Sequence, residues 1–223
     1  MTTAVLPYSV QHYNSLPDIE DAGNNLKPED ISLLTTAIGQ VFIGHKVQKL
    51  FGLTLLYNNF PLDEDEMLVN TGDVSIPWKT SGLDAKLRVV KGSAWRFTEQ
   101  GLFPYEFAFD GTRRADINSF QPFLSELGDL LKCLGLMEKF GVCSLTNGDI
   151  NSAPKVESPQ GRDSVTVPFD AAPGDGPDRL IETVWQFDLA PELGSETLDE
   201  TTLSPLVLKK CKVACNIGPN PGH

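Results

Sequence analysis

The sequence predicts an α+β fold in which a helix–strand–hairpin unit occurs twice. It forms a mostly antiparallel sheet, curled or barrel-like, with two helices packed on its aromatic face. Three observations carry this. The stretch Phe51-Gly52-Leu53-Thr54-Leu55-Leu56, running on to Tyr57-Asn58-Asn59-Phe60, is echoed by Phe140-Gly141-Val142-Cys143-Ser144-Leu145. Each copy follows a helix that ends in a lysine-containing turn, Lys49-Leu50 in one case and Glu138-Lys139 in the other. Each then leads to a strand pair closing on an aromatic-x-Phe-Asp signature, Phe107-Ala108-Phe109-Asp110 and Trp185-Gln186-Phe187-Asp188. Residues 1–223 accordingly read as one domain of two similar halves, about 27–110 and 118–215, preceded by an N-terminal arm, residues 1–26.

The arm is polar, carries Pro7, Pro17 and the acidic Asp18, Glu20 and Asp21, and reads as a segment that wraps the body or stays mobile. Pro28 suits a first helical position, where its missing N–H has no helical partner to lose, and Glu29 and Asp30 favour the positive end of the helix dipole. Ile31, Leu34, Ile38, Val41 and Phe42 then recur at the spacing of one buried stripe, and Gly44 and Gly52 punctuate the exit into the central strand. Pro61, which cannot donate to a ladder, ends that strand. Asp63 to Glu66 makes an acidic turn, and Met67-Leu68-Val69 returns as a short strand. Gly72 to Gly92 reads as connection, anchored at Ile76-Pro77-Trp78. Around Gln100-Gly101 a hairpin follows, with Trp95, Phe97, Phe103, Tyr105, Phe107 and Phe109 on one face and Ala94, Arg96, Glu106 and Ala108 on the other.

After an Asp110-Gly111 turn, Asn118 or Ser119 caps a second helix striped by Phe120, Phe123, Leu124, Leu127, Leu131 and Leu134, with Gly135 as its stop. Asn147 to Asp163 is a Pro/Ser/Gly-rich loop of lid length. Ser164 to Phe169 and Leu180 to Asp188 read as the second hairpin, joined across Asp170 to Asp178, and Glu192 to Ser204 as a further acidic loop. Leu206 to Cys215 alternates and bears Lys209, Lys210 and Lys212, as an edge strand protected against pairing does. Gly218 to His223 is a Pro/Gly tail.

A net charge of −12 repels phosphate backbones and anionic membranes, which argues against nucleic acid and membrane partners. Neutral, cationic or apolar small molecules and basic protein patches remain. The most apolar region, Val41 to Leu56, is broken by His45, Lys46, Gln48 and Lys49, short of the roughly 18 apolar residues of a membrane span. The N-terminus lacks a basic segment followed by an apolar run, so a cytoplasmic location with four reduced cysteines is expected. The sequence holds no glycine-rich phosphate loop, nucleophile elbow, zinc-protease helix or dinucleotide fingerprint, so the chemistry expected is cofactor-free.

Arg96 and Glu106 on the first hairpin, Glu182 and Gln186 on the second, and Tyr57 and Asn59 on the central strand share the non-aromatic face. On a sheet curled round a pocket they converge on a ligand. Glu106 or Glu182 then acts as acid/base, Arg96 clamps an anion or carbonyl, Tyr57 and Asn59 orient by hydrogen bonds, and Trp78 joins the ligand-binding set. On an open sheet the same face is solvated and ion-paired, and Asn58-Asn59 simply turn the chain before Pro61. Cys211-x3-Cys215 with His223 offers three zinc donors. A second pair exists only if Cys133 and Cys143 supply it, so no metal is expected. A nucleophilic pair of Cys143 with His45 requires that the fold bring them together.

Over Lys49-Leu50-Phe51-Gly52-Leu53-Thr54-Leu55-Leu56, through Phe60, and again from Trp95-Arg96-Phe97 to Glu106-Phe107, the chain resembles uncharacterised proteins of filamentous fungi. Those proteins carry histidines where this chain has Tyr57 and Asn59, so any metal or acid–base role of such histidines is absent here. The resemblance implies no activity but makes specialised metabolism the expected setting. The function expected is therefore a small-molecule-binding enzyme, a cofactor-independent isomerase, cyclase or lyase acting on an apolar intermediate. The alternative is a non-catalytic ligand-binding or interaction protein whose acidic segments, Asp63 to Glu66 and Glu196 to Glu200, meet a basic partner.

Overall fold

The computed structural model describes residues 3–81, 90–109, 115–146, 153–171, 180–190 and 207–216. Two short helices, α1 (Val10–Asn14) and α2 (Ile19–Asn24), precede a helical run made of α3 (Pro28–Leu33), a π-helical turn (Leu34–Ile38) and α4 (Gly39–Gly44). Then come β1 (Phe51–Leu55), β2 (Glu66–Thr71), β3 (Val74–Lys79), β4 (Val90–Thr98) and β5 (Gly101–Phe109). The second half repeats this with α5 (Gln121–Cys133), β6 (Phe140–Ser144), β7 (Lys155–Gln160), β8 (Asp163–Pro168), β9 (Leu180–Leu189) and β10 (Val207–Asn216). The strands close into one barrel in the order β1-β6-β4-β5-β2-β3-β8-β7-β10-β9. Neighbours are antiparallel except β2 with β5 and β7 with β10.

Equivalent positions at the helix exits, in β1 and β6 and in β3 and β8 lie 89 residues apart (140 − 51), and the repeat extends to single hydrogen bonds. At the first helix exit Lys46 N–H donates to the Ile43 carbonyl, Val47 to Phe42 and Phe51 to Val47. At the second, Gly135 donates to Lys132, Leu136 to Leu131 and Phe140 to Leu136. Lys46 and Gly135 both take the left-handed conformation that ends a helix, with φ of 57° and 70°. Strands β1 and β6 pair about Leu53 opposite Val142, and on the far wall Ser75 lies opposite Ser164; each is a pair of equivalent residues. A pseudo-two-fold axis therefore crosses the barrel through both pairs. Each central strand also crosses into the other half's sheet, β1 pairing with β9 and β6 with β4.

Along β1 and β6 the two-residue period sends Phe51, Leu53, Leu55, Phe140 and Val142 outward. There Leu34, Ile38, Phe42, Phe123, Leu124, Leu127 and Leu131 of the helices cover them, together with Trp95, Phe97, Trp185 and Phe187. Burying each such aromatic or aliphatic side chain contributes about 1.5–3 kcal/mol. Both predicted helical stripes and both helices on an aromatic face are thus present.

The strand assignments differ at several points. Of the aromatic residues expected on one hairpin face, Phe103 stacks on His12 and the others are divided among three clusters. Paired register shifts in β4 and β5, where Ser93 and Tyr105 are the extra residues, change the face alternation. Trp95 and Phe97 face the helices, Tyr105 belongs to the interior cluster, and Phe107 and Phe109 pack with Tyr8 and Trp78. The supposed connection after Gly72 contains β3, and the supposed loop Asn147 to Asp163 contains β7. The second hairpin is β7 with β8, while Leu180–Leu189 pairs with β10 and β1. Strand β10 is no edge, because closure places it between β9 and β7. The Asp110-Gly111 turn, most of the Asp170 to Asp178 connection, the Glu192 to Ser204 loop with Glu196 to Glu200, and the tail with His223 lie outside the described residues.

The N-terminal arm is integral to the barrel. Val5 bridges Leu102, and Leu102 exchanges hydrogen bonds with Ala4 and Leu6. Val10, Tyr13 and Leu16 join Leu56, Leu68, Ala94, Tyr105 and Cys143 in one buried cluster inside the barrel wall. Asn14 fixes this plug by a reciprocal pair with the Leu62 backbone, at 2.8 and 2.9 Å.

Candidate functional site

Above that plug the barrel interior holds a cavity of about 170 Å³, lined by residues from both halves. Thr54 projects into it from β1, Ala94 and Ser93 from β4, Glu106 from β5, Cys143 and Ser144 from β6, Glu157 and Lys155 from β7, Val184 from β9, and Lys212 and Val213 from β10; Tyr57 and Leu145 follow β1 and β6. Hydroxyls, carboxylates and amines thus share the space with an apolar wall.

Glu157 accepts three side-chain hydrogen bonds there. It accepts from Tyr57 Oη at 2.6 Å, from Asn59 Nδ2 at 2.9 Å and from Ser164 Oγ. Asn59 Oδ1 in turn accepts from the Cys215 thiol at 3.8 Å. Burial, reinforced by the Glu157 charge, holds the Tyr57 phenol far above its ordinary pKa, so it remains a donor to the carboxylate. Burial and Glu106 do the same for Tyr105, whose hydroxyl lies 3.3 Å from Thr54 Oγ1. Burial and Glu157 push the Cys215 thiol up as well, the opposite of what a nucleophile needs. On the opposite wall Asn70 Nδ2 donates to Glu106 at 3.3 Å.

The chemistry breaks the symmetry of the scaffold. Strands β9 and β10 repeat the paired register shift of β4 and β5, here with Thr183 and Lys212 as the extra residues. Aligned on Trp95 and Trp185, Ser93 corresponds to Thr183, Glu106 to Val213 and Tyr105 to Lys212. At these shifted positions one wall therefore carries Tyr105 and Glu106 and the other Lys212 and Val213.

Of the residues anticipated as a site, Tyr57 and Glu106 line this cavity, and Asn59 reaches it through Glu157. The others lie elsewhere. Arg96, buried, donates to the His12 carbonyl at 3.3 Å and Ser15 Oγ at 2.9 Å and pairs with Glu138 at 2.6 Å, so it clamps the arm to the body rather than a ligand. Glu182 accepts from Trp185 Nε1 and Lys209, both at 2.7 Å. Gln186 is buried at the position equivalent to Arg96. Trp78 packs on Phe109 in the outer cluster. Asn58 tethers the arm, its Nδ2 donating to the Leu16 carbonyl and its N–H to the Pro17 carbonyl. His45 bonds Glu126 at 2.7 Å while Cys143 faces the cavity and donates to the Gly52 carbonyl, so no Cys–His pair forms. The Cys211 thiol is spent on the Val213 carbonyl, and among the described residues no three His, Cys, Asp or Glu side chains form a metal-binding group.

Sequence reasoning missed Glu157, Ser93, Asn70 and Lys212. Glu157 sat in the stretch read as a loop, and Ser93 fell between the connection ending at Gly92 and the hairpin faces beginning at Ala94. Only the alternation within Lys155-Val156-Glu157 could have suggested a strand with an inward carboxylate.

All four tyrosines, Tyr8, Tyr13, Tyr57 and Tyr105, have pKa values raised chiefly by burial. Below the unfolded value of about 10 both states hold neutral phenols, and above it only the unfolded chain ionises, so stability declines as pH rises toward the folded values. The folded protein is expected to show no phenolate absorbance between about pH 9 and 11, its onset coinciding with alkaline unfolding seen by circular dichroism. A normal titration in the folded state would contradict this burial.

Compared with known family models, curated proteins and solved structures, the chain gives no match. Fold and site together define a class: a closed, internally duplicated ten-stranded barrel with helices outside and an ionisable cavity within.

Proposed function

We propose that the barrel binds a small molecule and performs cofactor-independent proton transfer on it, as an isomerase, cyclase or lyase, with Glu106 as the acid/base. The observation that carries this reading is a carboxylate set into a cavity opposite the buried Lys212, with Ala94, Leu145 and Val184 as apolar wall. The polar lining favours a ligand with an apolar body and polar substituents over a purely apolar one. Cation and carboxylate across a partly dehydrated space suit an enol- or carbanion-like transition state. The free cysteine thiols suit a reducing, cytoplasmic setting. Among the described residues no helix is long and apolar enough to cross a membrane.

One observation favours a non-catalytic binding protein instead: Glu157 is already engaged by three protein donors, which makes it a structural acceptor. The test is a native mass spectrum of the protein purified from its source, followed by incubation of any co-purifying compound with wild type and Glu106→Gln. The variant is expected to retain the compound and lose turnover by at least about 100-fold. Equal conversion removes Glu106 from the chemistry, and binding without conversion by wild type supports the second reading.

A further inference from the structure

We infer that the cavity contains a subsite for an uncharged hydroxyl group, read by Ser93 and Asn70. This rests on the cavity being the ligand site and goes on to name what the ligand must carry there. Ser93 is 5 % exposed and its Oγ has no hydrogen-bond partner among the described residues, although it lines the cavity. Its equivalent in the other half is bonded: Thr183 Oγ1 donates to the Val213 carbonyl at 3.2 Å. The same fold position is therefore satisfied on one wall and open on the other.

Asn70 supplies the complementary atom. Its Nδ2 donates to Glu106, which fixes the amide orientation, because the reverse would set two acceptors against each other. Its Oδ1 is then left buried without a donor in the same cavity. Strands β4 and β5 run side by side, and β2 pairs Asn70 with Ala108 of β5, so both open atoms belong to one wall. A hydroxyl can donate to Asn70 Oδ1 and accept from Ser93 Oγ. A carboxylate cannot donate, and on this wall it would meet the Glu106 carboxylate that Asn70 bonds, while Lys155 and Lys212 project from other strands. A hydrocarbon would leave both atoms unsatisfied, which is costly in a buried site.

Benzyl alcohol, benzoate and toluene, nearly matched in size, separate these cases. Their dissociation constants are measured by ligand-observed saturation-transfer NMR on the full chain, with thermal melts confirming that each variant is folded. Benzyl alcohol is expected to bind about ten-fold tighter than either of the others, and Ser93→Ala and Asn70→Leu each to erase most of that preference. Toluene or benzoate binding as well as the alcohol overturns the subsite and leaves the cavity as the ligand site, with Ser93 and Asn70 serving water only. A preference that survives in both folded variants also overturns it. Binding of none of the three overturns the subsite and the cavity reading together.

Discussion

Gly141→Ala is expected to leave no stably folded barrel. A Cβ at this position would sit 2.3 Å from the Trp95 carbonyl oxygen and 3.0 Å from Leu56 Cδ2. The Leu56 methyl can rotate away, but the carbonyl cannot, because β4 is held in register on β6 by the Trp95–Val142 and Arg96–Gly141 pairs. The strand must move, and with it the seam that joins the two halves. A loss above about 4 kcal/mol is expected, in the exceptional range for one substitution and close to the whole stability of a small domain. The pseudo-symmetry supplies a graded comparison. At Gly52 the added Cβ meets the Trp185 carbonyl at 2.9 Å, so Gly52→Ala costs less while acting through the same contact. At Gly44 nothing lies within 4 Å, so Gly44→Ala is neutral or slightly stabilising. Urea unfolding followed by circular dichroism ranks the three; near-wild-type stability of Gly141→Ala would show that the seam is not as tight as described.

Glu157→Leu carries the second largest effect. It removes the acceptor of Tyr57, Asn59 and Ser164 at once, leaving their donors inside the barrel with an apolar neighbour. Each orphaned donor costs about 1–3 kcal/mol, and partial rearrangement toward water brings the expected total to about 3 kcal/mol. Glu157→Gln keeps the shape and loses only the charge. The Tyr57 and Ser164 hydroxyls can rotate and the Asn59 amide can flip, so about 1 kcal/mol is expected. The two variants share one spectroscopic consequence. Without the Glu157 charge, the Tyr57 pKa falls while burial still keeps it above its ordinary value. Denaturant midpoints and phenolate titration measure both effects. A Glu157→Leu protein as stable as wild type would mean that the carboxylate is not needed to hold this wall.

Much of the fold was legible because its signals are local. The stripes from Leu34 to Phe42 and from Phe123 to Leu131 specify helices with one buried face, whatever they pack on. The Phe-Gly opening of each central strand was read only as punctuation, although a glycine in a strand interior marks a close approach such as Gly141 makes to the Trp95 carbonyl. The Trp-x-Phe echo was visible too, but was matched to the wrong strand. Trp185-Gln186-Phe187 pairs on β1 as Trp95-Arg96-Phe97 pairs on β6, so its true counterpart is β4 rather than the end of β5.

The site was only half legible for a related reason. Tyr57 and Glu106 were placed on an inward face by alternation alone. Arg96 and Glu182 followed the same rule and failed it: the first is taken by the arm and the second lies outward beside Trp185, beyond a register shift. A shift of one residue exchanges the two faces of a strand, and no composition rule locates it, because the extra residue is set by how two distant strands settle against each other. Ser93, Thr183 and Lys212 owe their positions to such shifts.

By itself, then, the sequence determined the two striped helices, the duplicated central strands and the pairing of the first hairpin, all of which follow from neighbours a few residues apart. Only the tertiary structure decided that β1 and β6 cross between the halves, that the barrel closes and leaves no edge, that the arm plugs one end, and that Glu157 meets Tyr57. Those outcomes depend on contacts between residues a hundred and more positions apart, where the free energy belongs to the packed pair and neither member carries it alone.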